Sequence, residues 1–136
     1  RPPFINTGIL GLPFGIQGIQ YTATSTVAEN QTLSNTVSLP RLQRPPTLPD
    51  IVSMGSNAAL MTARVIENTF EVFAVHALSI AEAIDCLDKA DKLSEKSKQL
   101  YVGVRKVASK IDNDLPRFKE LARIKDYLKN NNPEVI

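Results

Sequence analysis

From Asn57 to Leu87 the chain runs without a proline or a glycine and is built mostly of Ala, Leu, Met, Val and Ile. These residues favour helix, and the run is long enough for about eight turns. Ser53 and Ser56, just ahead of it, offer hydroxyls for an N-cap. Between Val72 and Ala81 the one ionisable residue is His76. A helix apolar nearly all round must be buried nearly all round. The chain has 136 residues, too few to surround so long a helix by itself. Further polypeptide must therefore cover part of it. The faces around Val65, Val72, Phe73, Leu78 and Ile80 are expected to make those contacts.

The rest of the chain falls into residues 1–50 ahead of this part and 51–136 containing it. Residues 1–15 are rich in Pro and Gly and read as irregular approach chain. The stretch from Ile16 to Ser34 admits two readings. Ile19, Tyr21, Ala23, Ser25 and Val27 alternate with Gln20, Thr22, Thr24 and Thr26, which fits a strand, as does the density of threonine. Ile16, Ile19, Ala23 and Val27 at helical spacing fit a helix, against which each threonine costs about 0.5 kcal/mol. Pattern alone favours the strand. Pro40, Pro45, Pro46 and Pro49 make residues 35–50 an extended linker, with Arg41 and Arg44 as solvated charges.

Beyond the long helix, residues 88–93 form a polar break. Ser94 can cap a helix over about 94–112 whose apolar stripe is Leu100, Val104, Val107 and Ile111. Asp114 and Pro116 mark a further start. Phe118, Leu121, Ile124 and Leu128 line one face of a helix over about 116–130, stopped by Asn130 to Pro133. The expected fold class is all-α. Neither an internal repeat nor the strict heptad of a long coiled coil is evident.

Composition narrows the function. A net charge of +2 and 6% aromatic residues argue against nucleic acid and against an anionic membrane surface. Cys86, the single cysteine, has no internal disulfide partner, which suits a reducing, cytoplasmic setting. No signal peptide is evident, and a start at Arg1 rather than Met suggests a segment of a longer protein. His76 and Cys86 lack the second pair that a zinc site needs. His76 reads as a packed, hydrogen-bonded interior residue. Glu67 and Glu71 share a helix face and could do acid–base work, but carboxylates paired with lysine or arginine are far commoner. Gly8, Gly11, Gly15 and Gly18 lack the lysine of a phosphate loop, and no nucleophile elbow is present. The Asn30-Gln31-Thr32 sequon matters only in a secreted protein.

One set of motifs says more. Residues 50–60, DIVSMGSNAAL, are followed by Val65, Glu67, Asn68 and Glu71-Val72. This stretch closely resembles the histidine and aromatic amino-acid ammonia-lyases and the tyrosine and phenylalanine aminomutases that share their fold. In that family an Asp-x-Val-Ser-Met-Gly turn opens a long helix with a Val-x-Glu-Asn segment. Asp50, Val52, Ser53, Met54 and Gly55 match the turn, and Val65, Glu67 and Asn68 match the segment. Upstream, GLPFGIQGIQYTATSTVAENQTLS is similar to the family's Gly-Leu-Asn-x-Gly run and its Gln-x-Thr-Ala-x5-Glu-Asn helix. Downstream, AEAIDCL and LSEKSKQLYVGVRK follow in the family's order.

The resemblance implies a helix over about 16–34, against the strand reading. It also implies long helices that pack with those of other subunits into a shared bundle, as a homotetramer. The chemistry it implies is loss of ammonia from histidine or an aromatic amino acid, or its re-addition in aminomutases. The electrophile in that family is a methylidene-imidazolone formed from Ala-Ser-Gly in the N-terminal half. No Ala-Ser-Gly occurs here, so this chain alone is expected to carry neither the cofactor nor the reaction. In the family, a Glu or Gln precedes the turn's Asp; here that position is Pro49, whose side chain can neither accept a proton nor orient an amine. Asp50 is expected to orient the turn through backbone hydrogen bonds. Two expectations stand: the C-terminal segment of a lyase or aminomutase, or a lyase-derived assembly protein without activity.

Overall fold

The computed structural model describes residues 16–35, 54–111 and 115–131, and among them every regular element is helical. In order these are α1 (Ile16–Leu33), α2 (Gly55–Leu87), a 3-10 turn (Ala90–Lys92), α3 (Glu95–Val107) and α4 (Phe118–Asn130). The all-α expectation holds.

The strand pattern in α1 fails for a local reason. Thr24, Thr26 and Thr32 each turn the hydroxyl back onto the carbonyl four residues earlier, at 3.0, 3.0 and 3.2 Å. The threonines are thereby satisfied inside a helix. The packed row is Ile16, Ile19, Ala23, Thr26, Asn30 and Leu33, alternating three- and four-residue steps. Tyr21 and Val27, which supported the strand reading, point outward at 70% and 42% exposure.

α2 spans 33 residues, a rod of about 50 Å. Its N-cap is Met54, without a side-chain cap, and Ser56 lies inside the first turn rather than capping it. At the other end Asp88 adopts φ 49°, a left-handed cap, and the Lys89 N–H returns to the Ile84 carbonyl at 3.2 Å. Ser94 does cap α3, its hydroxyl accepting from the Ser97 N–H at 3.3 Å.

α3 stops at Val107, short of the expected 112, because Ala108 turns extended at φ −136°. Two side chains hold the chain there. Arg105 donates to the Ser109 carbonyl at 3.2 Å, and Glu82 accepts from the Ile111 N–H at 3.2 Å. Ile111 therefore leaves the helical stripe. On α4, Leu121, Ile124 and Leu128 pack inward, whereas Phe118 is 67% exposed and does not share their face.

The core lies where α3 and α4 meet the C-terminal half of α2. Ala74, Leu78, Ala81, Val104, Ala108 and Ile124 form it, with Ile19 of α1 packed against it. Leu78, expected at a subunit contact, belongs to this internal core at 1% exposure. His76 is exposed rather than interior, because it lies on the side of α2 away from that core.

Candidate functional site

Of the residues matching the lyase-like motifs, Pro49, Asp50, Val52 and Ser53 lie outside the described residues. Met54 and Gly55 place the end of that turn at the very start of α2. The other motif residues stand on α2 two to four turns further along, where they fasten the helices together.

Asn68 is 2% exposed, and its side-chain amide donates to the Asn30 side-chain oxygen Oδ1 on α1 at 2.9 Å. One turn earlier Arg64 donates to Glu29 at 2.9 Å, and this contact lowers the Glu29 carboxyl below its ordinary range. The pairs Glu29–Arg64 and Asn30–Asn68, with Ile19 lying against the core around Leu78, make α1 and α2 antiparallel. The helices are thus joined by a charged pair at the rim and a buried amide pair in the seam. Val65, half-buried, sits beside them.

Glu67 faces α4. Lys129 and Lys125 both hydrogen-bond its carboxylate, Lys125 at 2.9 Å, and together they push it down to about 2. A carboxylate so held is a poor proton acceptor at neutral pH, and the acid–base role considered for Glu67 and Glu71 loses its first member. Glu71 lines an open groove of about 420 Å³ with Ile19 and Thr22 of α1 and Leu121 and Lys125 of α4.

A second polar cluster went unseen in the sequence. Arg105 of α3 meets Glu82 at 2.7 Å and Asp85 at 2.5 Å, both on α2, and Tyr101 donates its hydroxyl to Asp85. Burial opposes the Arg105 charge, yet the two carboxylates prevail and raise its pKa. The hydrogen bond to Asp85, helped by burial, raises the Tyr101 phenol as well. A phenol held that way is no base at neutral pH, so the cluster is a clamp between α2 and α3 in which one guanidinium answers two carboxylates. Its sequence signal is Glu82/Asp85 at a three-residue step facing Tyr101/Arg105 at a four-residue step. Nothing local says that the two sets meet. Among the described residues no group of His, Cys, Asp and Glu is placed to hold a metal ion.

The chain and its fold match known proteins. The family model for aromatic amino acid lyases matches residues 1–106, which take in α1, α2 and most of α3. The chain belongs to the aromatic amino acid lyase family. Histidine ammonia-lyase 1 of Fusobacterium nucleatum is 33% identical over 136 residues, covering 95% of this chain and 26% of that enzyme. The MIO-dependent tyrosine 2,3-aminomutase of Streptomyces globisporus is 34% identical over 93% of this chain and 23% of its own length. A crystal structure of a tyrosine aminomutase mutant superposes with a TM-score of 0.79 at 31% identity, over 93% of this chain and 25% of that one. The chain spans about a quarter of the length of these relatives.

Proposed function

We propose that this chain is the C-terminal helical segment of an ammonia-lyase or aminomutase acting on histidine or an aromatic amino acid. In this reading the methylidene-imidazolone electrophile belongs to the N-terminal half, and the present segment supplies framework and assembly surface in the cytoplasm. The observation that carries it is the family match along residues 1–106, joined to the α1–α2 pairing through Asn30 and Asn68, both motif residues. In this reading the turn that ends at Gly55 faces the substrate, and the polar seam of Asn30 and Asn68 holds α2 in place behind it. The apolar side of α2 supports assembly as a homo-oligomer, a tetramer on the family's pattern. There Ile66, Phe73, Ile80 and Leu87 remain 49%, 51%, 60% and 55% exposed.

The test is activity measured two ways. The purified chain with histidine, tyrosine or phenylalanine should form no unsaturated acid by ultraviolet absorbance, and mixing it with an Ala-Ser-Gly-bearing remainder of its parent should restore turnover. Turnover by the chain alone contradicts the reading.

Pro49 supports a second reading, a lyase-derived assembly protein without activity. Where the family has Glu or Gln, proline offers the substrate amine no acceptor. If the mixture stays silent and Pro49→Gln or Pro49→Glu makes it active, this second reading is correct.

A further inference from the structure

The charged residues of α2 are all turned toward the chain's own helices. Arg64 meets Glu29 of α1, Glu67 meets Lys125 and Lys129 of α4, and Glu82 and Asp85 meet Arg105 of α3. Glu71 lines the groove against α1 and α4. The opposite side of α2 carries Ile66, Phe73, Ile80 and Leu87, about half exposed or more. Its hydroxyls are turned back on the helix: Thr69 and Ser79 donate to the carbonyls of Val65 and Val75 at 2.7 and 2.8 Å.

His76 stands in the middle of that side, exposed, and is its one ionisable residue. One helical turn away in either direction are Phe73 and Ile80, with Val72 and Ser79 beside them. The charged groups of the other helices that reach α2, Glu29, Arg105, Lys125 and Lys129, all arrive on the inward side. Within the described chain His76 therefore has apolar neighbours, water, and no counter-charge. Water can hold either of its protonation states, but an apolar contact accepts only the neutral one cheaply.

We propose that His76 makes assembly through this side of α2 sensitive to pH: copies of the chain associate while the imidazole is neutral and separate when it is protonated. This rests on the assembly reading above and adds its regulation. A second copy brings the same side, with no carboxylate on it, so in any register His76 meets apolar side chains or another His76. An imidazolium there has lost its water and gained no partner. Association thus lowers the proton affinity of the ring, and the contact is favoured above the pH at which the free chain's imidazole titrates and lost below it. Ordinary imidazoles take up a proton near pH 6.5. One unit lower, a pair of chains that must shed two protons to associate binds about a hundredfold more weakly. Glu29 and Glu67, held below the ordinary carboxylate range by their partners, stay ionised through this window, so their ties to Arg64 and the lysines persist.

Sedimentation equilibrium of the full chain at pH 8 and at pH 5.5 tests it, on the wild type beside His76→Gln. The wild type should associate about a hundredfold more weakly at the lower pH, and His76→Gln should be level across the same range. Circular dichroism checks that helix content is kept at both pH values, and His76→Leu supplies a second unchargeable side chain should the glutamine variant lose its helix. A wild type that is level with pH, or a fall of equal size in the unchargeable variant, would overturn the switch and leave assembly standing. Tighter association at pH 5.5 would overturn it too, by showing that a carboxylate meets His76 in the assembly. Monomers at both pH values would overturn the assembly reading along with it.

Discussion

Asn68 is the most deeply buried polar side chain of the α1–α2 seam among the described residues, and the side-chain amide of Asn30 answers it, with the Glu29 carboxylate also in reach. Removing one member strands the other, which costs more than the hydrogen bond contributed. Asn68→Leu should therefore destabilise by about 1–3 kcal/mol in urea unfolding, and Asn30→Leu/Asn68→Leu should recover most of the loss. Equal losses in the single and double variants would mean that the pair is not coupled. Gly103 makes a comparable case by contact. A Cβ there would lie 1.8 Å from the Tyr127 hydroxyl and 2.3 Å from Cζ, so the ring must move. Overpacking of this kind costs about 1–3 kcal/mol, against about 1 kcal/mol gained in helix propensity. Gly103→Ala should lower the Tm of the wild type and be harmless or stabilising in a Tyr127→Leu background. A Tm loss of the same size in both backgrounds would show that Tyr127 is not the obstacle.

The elements differ in how openly the sequence declared them. The run from Asn57 to Leu87 could be little else than a long helix, because nothing in it breaks or solvates one. α1 was hidden, because threonine hydroxyls that bond back to their own helix look in sequence like strand residues. The early end of α3 could not be read either, since it depends on Glu82 and Arg105 reaching residues far away in sequence. The fastening of α4 to α2 has a measurable pH signature. Lys129 and Lys125 depress Glu67 to about 2 from an ordinary 4.5. A carboxylate depressed on folding stabilises above its unfolded value, and the benefit is lost as pH falls through the folded one. The stability advantage of the wild type over Glu67→Gln should hold at pH 6 and fade between about 4.5 and about 2. Added salt should shrink it, as the pair is open to solvent. An advantage that does not change across that window would separate the lysines from any role in holding α4.

At the scale of the whole molecule the fold class and the family were legible, the first from the long apolar run and the second from Asp50 to Gly55 with Val65, Glu67 and Asn68. The working of the site was less so. The lyase-like turn contributes Met54 and Gly55 to the described structure, and its acidic or amide position is Pro49. Among the described residues no helix is long and apolar enough to cross a membrane. Leaving Ile66, Phe73, Ile80 and Leu87 wet forgoes roughly 1.5–3 kcal/mol for each side chain that association would bury fully. Ile80 is 60% exposed within one chain, so a charge there should spare the fold and strike the contact alone. Light scattering at micromolar concentration, on the wild type beside Ile80→Asp, is therefore the most direct test of an assembly segment. The expected result is a dimer or tetramer of the 15.0 kDa chain, shifted toward monomer by Ile80→Asp with its helicity intact. A stable wild-type monomer, unchanged by the substitution, would contradict it.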